Sequence, residues 1–145
     1  MSKTITIASV QMFVHKNKKQ NVEQIKIHLK YLNKVFPQVK MVVFPELSIS
    51  EPALEPKEQA EKIPGELTDL LSELAKKYEM WLIPGSIYEK SGLNVYNTSL
   101  VFSPNGDLVG KYRKRFPWCP YEKTKPGNEP FVFTVEGMGK IGLMI

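Results

Sequence analysis

The segment Lys111–Glu122, KYRKRFPWCPYE, concentrates side chains that can do acid–base and nucleophilic chemistry. A hairpin is predicted just before it, because an Asn-Gly turn at Asn105 separates two extended runs. Lys114 therefore lies at the end of the returning strand, and Pro117 begins an irregular loop. An ammonium held at such a place can stabilise a developing oxyanion. The alternative is a solvated basic strand end with a structural proline loop, since most lysine clusters are surface charge.

A second candidate group, Glu46, follows a short apolar strand. The run Met41–Phe44 is continuously apolar, as expected for a strand covered on both faces, and Pro45 ends it. A carboxylate directly after a buried strand is partly desolvated and can act as a general base. In open α/β sheets, ligands bind beyond the carboxyl ends of the strands. We therefore expect Glu46 and Lys114 to meet at one sheet edge, joined by the end of the strand Lys140–Ile145 if that strand is parallel to them.

The single cysteine, Cys119, is the one thiol in the sequence that could serve as a nucleophile. It lies between Trp118 and Pro120 in the rigid loop, where no strand or helix end aims its sulfur. A lone cysteine is more often a small buried hydrophobic residue. We expect Cys119 not to be the nucleophile. Trp118 either lines a substrate pocket or covers the edge of the core.

The spacing of apolar residues predicts an α/β fold in the order β-α-β-α-β, followed by further strands. The segment Ser48–Lys62 between two of these elements is predicted to be a long acidic loop, of a kind that often forms lids or binding loops. The predicted helices are Asn17–Phe36 and Glu66–Tyr78. The predicted strands are Lys3–Met12, Met41–Phe44, Met80–Pro84 with Ser86–Glu89 as its continuation past Gly85, Asn97–Phe102, Leu108–Arg113, Phe131–Val135 and Lys140–Ile145. The last two are predicted to form a second hairpin through Glu136–Gly139.

Composition places the chain among ordinary globular proteins, with 42% hydrophobic and 24% charged residues in a length of 145. No apolar run reaches the roughly 18 residues of a membrane span, and the N-terminus lacks the pattern of a secretory signal. One cysteine excludes an internal disulfide and a Cys-rich zinc site, which fits a cytoplasmic protein. The net charge of +5 comes largely from lysines in the first predicted helix, and no nucleic-acid-binding motif accompanies it. We therefore expect neither a membrane nor a nucleic-acid partner.

Four stretches of the sequence, in this order, resemble the carbon–nitrogen hydrolase (nitrilase) superfamily. They span nearly the whole chain, and their order and spacing carry far more weight than a short match such as FPE or YRK alone. Within the superfamily, KYRKRFPWCPYE is most similar to the aliphatic amidases and formamidases. The resemblance implies that residues 1–145 are the N-terminal part of a single, truncated domain with a four-layer αββα sandwich. The four stretches are TITIASVQM, VVFPE, NTSLVFSPNGDLVGKYRK and GKIGLMI.

The resemblance also implies a Glu-Lys-Cys mechanism. Glu46 would be the general base and Lys114 the lysine that stabilises the oxyanion. Glu122 would be the second glutamate, which positions the substrate and the lysine; the alternative for Glu122 is a solvated or salt-bridged surface glutamate. The nucleophilic cysteine of the family would follow directly after Ile145. Leu47 departs from the amidase branch, whose members often have a tyrosine at that position.

Two functions are compatible with these observations. The first is hydrolysis of the carbon–nitrogen bond of a small amide, a nitrile or an N-carbamoyl compound through a thioester, without a metal or an organic cofactor. The second is a catalytically inactive half-domain that acts only by pairing with another subunit, since the nucleophile is missing from the sequence. Members of the superfamily assemble into dimers and larger oligomers, so the resemblance implies a homo-oligomer in the first case as well.

Overall fold

A six-stranded mixed sheet is the centre of the computed structural model, which describes residues 4–145. The elements follow the predicted order, β-α-β-α-β and then further strands. Their bounds are β1 (Thr6–Ser9), α1 (Lys18–Val35), β2 (Val39–Val43), α2 (Pro56–Gln59), α3 (Glu66–Tyr78), β3 (Trp81–Ile83), β4 (Ser86–Ser91), β5 (Asn94–Phe102), β6 (Leu108–Arg113), β7 (Phe131–Val135) and β8 (Gly139–Leu143).

The directions of the strands bring the ends of β2 and β6 to the same edge of the sheet. β1, β2 and β3 are parallel neighbours, and β5 pairs antiparallel with β3, β4 and β6. β4 continues β3 past Gly85, as the sequence predicted, and both pair with the same side of β5 with a one-residue register shift between them. β6 occupies the other side of β5. Two antiparallel steps return β6 to the direction of β2 and β3, so Glu46 and Lys114 both leave strands at the carboxyl edge.

Helices α1 and α3 cover one face of this sheet. Asn17 caps α1 by accepting hydrogen bonds from the backbone N–H of Lys19 and Gln20, at 2.9 and 3.3 Å. The apolar stripe of α1 places Ile25 and Leu29 in the core. The main core between helices and sheet is built from fifteen buried residues: Ile25, Leu29, Val39, Val42, Phe44, Ile49, Leu67, Leu71, Leu74, Ala75, Met80, Leu82, Ile87, Leu100 and Phe102.

The hairpin β7–β8 covers the opposite face and forms a second, two-stranded sheet. Phe133 and Val135 of β7 pack against Met41, Ile83 and Val101 of the main sheet. β8 pairs with β7 in the second hairpin that the sequence predicted, and with no other strand among the described residues, so it does not join the sheet that carries Glu46 and Lys114. The expectation that its end faces the site stays a prediction. An alternating apolar pattern does not distinguish a strand that joins a sheet from one that packs on its face. Residues 4–145 thus form three layers of the expected αββα sandwich: helices, main sheet and second sheet.

Two further boundaries differ from the sequence prediction. The predicted first strand, Lys3–Met12, begins outside the described residues, and the observed β1 covers four residues, Thr6–Ser9. The predicted loop Ser48–Lys62 contains the one-turn helix α2, which begins at Pro56. The side chain of Glu58 accepts a hydrogen bond from the backbone N–H of Glu55 at 2.7 Å. Proline at the first helical position with a glutamate two residues later is a helix-start signal that the sequence did contain.

Candidate active site

Glu46 follows the end of β2, where hydrogen bonds from the next two residues join the chain to the junction of β3 and β4. The main chain of Leu47 lies in the left-handed region, with φ of 53°, which is sterically costly for a residue with a branched side chain. The backbone N–H of Leu47 donates to Ser86 Oγ at 3.0 Å, and Ser48 Oγ donates to the carbonyl of Pro84 at 2.6 Å. These bonds fix the direction in which the Glu46 side chain leaves the strand.

A glycine at the same junction makes this close approach possible. Gly85 has φ of +80°, and a Cβ atom there would lie 1.9 Å from the carbonyl oxygen of Pro45. Any other residue would therefore push apart the two segments that carry Glu46 and Ser86. The glycine serves the geometry of the site as well as the path of the chain.

Lys114 leaves the end of β6 with its main chain held from two sides. Its backbone N–H donates to the carbonyl of Asn97 at 2.8 Å, and its carbonyl accepts from the N–H of Gly127 at 2.8 Å. The side chain is only 13% exposed. Its ammonium donates to Glu46 Oε1 at 2.9 Å and to Glu122 Oε1 at 2.8 Å. The predicted convergence of Glu46, Lys114 and Glu122 is confirmed, although 68 residues separate the first two.

The two carboxylates keep the lysine charged. Burial lowers the pKa of Lys114, but the hydrogen bonds from its ammonium to Glu122 and Glu46 outweigh burial and hold the pKa above its usual value. The Glu46 side chain is 40% exposed, so it is open to a reactant. A carboxylate beside a fixed cation can take a proton from a nucleophile and stabilise the oxyanion that forms in acyl transfer.

Asn97, the first residue of the stretch NTSLVFSPNGDLVGKYRK, is part of the site although the sequence predicted no role for it. It is 1% exposed, and its Nδ2 donates to Glu46 Oε1 at 2.6 Å. Glu46 Oε1 thus accepts hydrogen bonds from both Asn97 and Lys114, while no hydrogen bond to Glu46 Oε2 is found among residues 4–145. Asn97 therefore orients the carboxylate and leaves one oxygen for a reactant. The sequence did contain one indication of this role, because an amide side chain within a buried strand needs a hydrogen-bond partner.

The opposite face of β6 carries a buried ionic network that anchors the strand before Lys114. Glu89 of β4 is 2% exposed and accepts hydrogen bonds from Arg113 at 2.8 and 2.7 Å, from Thr98 at 2.7 Å and from Lys111. Burial raises the pKa of Glu89, but the hydrogen bonds from Arg113, Lys111 and Thr98 outweigh it and lower the pKa to about 2. Arg113 directly precedes Lys114, so this network helps to fix the strand end from which Lys114 emerges.

The loop after Lys114 reaches the site through Glu122. The backbone N–H of Glu122 donates to the carbonyl of Trp118 at 2.9 Å, and Lys123 binds Glu55 at 2.8 Å, which ties this loop to the segment before α2. Trp118 is 69% exposed and lies against Tyr121, so it does not cover the core. Its predicted contact with substrate stays a prediction. Cys119 is an exposed free thiol, and the prediction that it is not the nucleophile also stays a prediction.

The match to a family model settles the relationship that this geometry suggests. The model described as carbon-nitrogen hydrolase covers residues 6–145. The chain belongs to the carbon-nitrogen hydrolase family. Its fold agrees, because the structure superposes on members of the nitrilase superfamily over almost its whole length. The α/β class and the nitrilase-like architecture predicted from the sequence are confirmed.

Three relatives illustrate how far the similarity extends. The omega-amidase NIT2 of Danio rerio is 43% identical over 109 residues, which are 74% of this chain and 39% of that protein. Nit3 of Saccharomyces cerevisiae, a member of branch 10 of the nitrilase superfamily, superposes with a TM-score of 0.84 at 27% identity, over 97% of this chain and 54% of that one. A carbon-nitrogen hydrolase from Helicobacter pylori G27 gives 0.84 at 29%, over 97% and 50%. The chain thus spans about half the length of these solved relatives.

These relatives support a carbon-nitrogen hydrolase but not the finer branch predicted from the loop. The similarity to aliphatic amidases and formamidases rests on KYRKRFPWCPYE alone, whereas the zebrafish relative is an omega-amidase and the yeast one belongs to the Nit3 branch. Among the described residues, no group of three or more His, Cys, Asp or Glu side chains is placed to hold a metal ion. No helix in residues 4–145 is long and apolar enough to cross a membrane.

Proposed function

We propose that the full-length protein hydrolyses the carbon–nitrogen bond of a small carboxamide and releases ammonia. One observation carries this proposal: the Lys114 ammonium is hydrogen-bonded to both Glu46 and Glu122 at the shared edge of β2 and β6. The name of the NIT2 relatives, omega-amidase, supports an amide as the substrate. Nitriles and N-carbamoyl compounds are the other carbon–nitrogen substrates to be compared with it.

The proposed first half-reaction forms a thioester. The nucleophile is proposed to be a cysteine that follows the segment ending at Ile145 in a chain of the relatives' length. Glu46 takes the thiol proton, and the thiolate adds to the carbonyl carbon. Lys114 holds the resulting oxyanion, and Glu122 accepts a hydrogen bond from the amide nitrogen. The carbon–nitrogen bond then breaks, and the departing nitrogen takes the proton from Glu46 and leaves as ammonia.

The second half-reaction returns the cysteine. Glu46, now ionised again, takes a proton from a water molecule, and the resulting hydroxide adds to the thioester carbon. The carbon–sulfur bond breaks, the thiol recovers its proton and the carboxylic acid leaves. The residues named in these two steps need no metal or organic cofactor. A homo-oligomer, in a cytoplasmic setting, is part of the same proposal.

A substrate panel tests the proposal. The full-length protein is incubated with short amides, nitriles and N-carbamoyl compounds, and ammonia release is measured for the wild type and for Glu46→Gln. We expect turnover of at least one amide and its near-complete loss in the variant, because glutamine cannot accept the thiol proton. If the wild type turns over none of these compounds but forms a defined dimer, the inactive half-domain that acts by pairing becomes the better account.

A further inference from the structure

Tyr88 lies on the face of the sheet that carries the catalytic groups. In the register of β4 and β5, Tyr88 is directly opposite Asn97, whose amide binds Glu46. Residues directly opposite in an antiparallel pair place their side chains on the same face, with Cβ atoms about 4.5–5.5 Å apart. Ser86, two residues earlier on that face, holds the backbone N–H of Leu47. Tyr88 thus extends the row of side chains that already supports Glu46.

The hydroxyl of Tyr88 has no assigned function in the site as described so far. Tyr88 is half-buried, and no hydrogen bond from its hydroxyl is found among residues 4–145. Burial raises the pKa of Tyr88, and the carboxylates of Glu122 and Glu46 raise it further, while Lys114 acts in the opposite sense. The phenol therefore stays a neutral hydrogen-bond donor at physiological pH. It lies in the field of the three proposed catalytic groups without being bound to any of them.

The proposed reaction needs more hydrogen-bond donors at the oxyanion than Lys114 alone can supply. A lysine ammonium has three N–H groups, and two of those of Lys114 already donate hydrogen bonds to Glu46 and Glu122. Only one N–H is then left for the oxyanion, which accepts more than one hydrogen bond when it is fully stabilised. On the basis of the proposed function, we propose that the Tyr88 hydroxyl donates a hydrogen bond to the carbonyl oxygen of the substrate, beside Lys114. Tyr88 is then a catalytic residue, because it touches the reacting group.

Tyr88→Phe tests this role, since it removes the hydroxyl and keeps the ring. Tyr96→Phe is the matched control: Tyr96 lies on the adjacent strand, and its ring stacks with Arg113 at 4.0 Å on the other face of the sheet. We expect Tyr88→Phe to lower kcat by roughly ten- to a hundred-fold, with KM changed less than about three-fold, because the bond strengthens as the oxyanion forms. Tyr96→Phe should leave both constants within about two-fold, and far-UV circular dichroism should be unchanged in both variants.

The possible outcomes separate this inference from the proposed function. An active wild type with unchanged kinetics in Tyr88→Phe, or with a change in KM alone, overturns the role of Tyr88 and leaves the proposed function standing. A wild type that hydrolyses no amide overturns the proposed function. The role of Tyr88 rests on that function and is then overturned with it.

Discussion

The ionic network around Glu89 makes a quantitative prediction about acid stability. The pKa of Glu89 is about 2 in the folded protein and 4.5 without these contacts. Each pKa unit corresponds to about 1.4 kcal/mol, so the ionised carboxylate contributes roughly 3 kcal/mol to the free energy of unfolding at neutral pH. Because folding lowers this pKa, the contribution is fully present above pH 4.5 and is lost as the pH falls from 4.5 towards 2. Acid therefore weakens the anchor of β6 that precedes Lys114.

Urea unfolding followed by far-UV circular dichroism measures this contribution. The free energy of unfolding is determined between pH 7 and pH 2 for the wild type and for Glu89→Gln. The variant should be less stable than the wild type by roughly 3 kcal/mol at pH 7, and the difference should shrink on acidification. Glu55→Gln is the control, because Glu55 forms an exposed ion pair with Lys123. Its effect should stay below about 1 kcal/mol at every pH.

Parallel curves for the wild type and Glu89→Gln between pH 4.5 and pH 2 would refute this reasoning. If the variant does not fold, the carboxyl carbon of Glu89 in the wild type can be titrated by NMR. A midpoint near 2 supports the account, and a midpoint near 4.5 contradicts it.

Three further predictions concern the neighbourhood of the site. Gly85→Ala should destabilise the protein clearly more than Gly92→Ala. Both glycines have positive φ, where an alanine costs about 1–2 kcal/mol. A Cβ at residue 85 also meets a main-chain carbonyl, whereas one at residue 92 meets nothing within 4 Å; equal urea midpoints would contradict this. Asn97→Ala should lower kcat about ten-fold or more by freeing the general base, whereas Asn94→Ala, exposed on the same strand, should not, and equal rates would remove the orienting role. Cys119→Ser should retain wild-type turnover, and loss of turnover in this variant would contradict the prediction that Cys119 is not the nucleophile.

Sequence patterns were sufficient to bring Glu46 and Lys114 to one edge of the sheet, because strand direction follows from the order of elements. The predicted strands Met41–Phe44 and Leu108–Arg113 each end at a proline-marked irregular segment, and Glu46 and Lys114 lie at these two ends. An even number of antiparallel steps returns the later strand to the direction of the earlier one, so both side chains reach the same edge. The apolar stripes of α1 and α3 were equally clear, because a spacing of three and four residues admits few alternatives.

Sequence patterns were insufficient where side chain polarity depends on tertiary partners. Asn97 and Tyr88 lie within strands whose alternation indicates only which face each residue occupies, not that Glu46 will lie beside them. From the sequence alone, Glu89 could equally have been a surface residue. Its burial is explained only by the contacts with Lys111 and Arg113, which the fold brings to it from β6. The periodicity of β7 and β8 predicted their hairpin, but that periodicity is the same whether the hairpin extends the main sheet or covers its face.

The central claim is that Lys114, with Glu46 and Glu122, forms the site of amide hydrolysis. Its most direct test is the turnover of the full-length protein with the best amide of the panel, measured for Lys114→Met and for the exposed Lys123→Met as a matched loss of one positive charge. The account predicts a loss of about a hundred- to a thousand-fold for Lys114→Met and a change of less than about two-fold for Lys123→Met. Equal turnover in the two variants would contradict the claim.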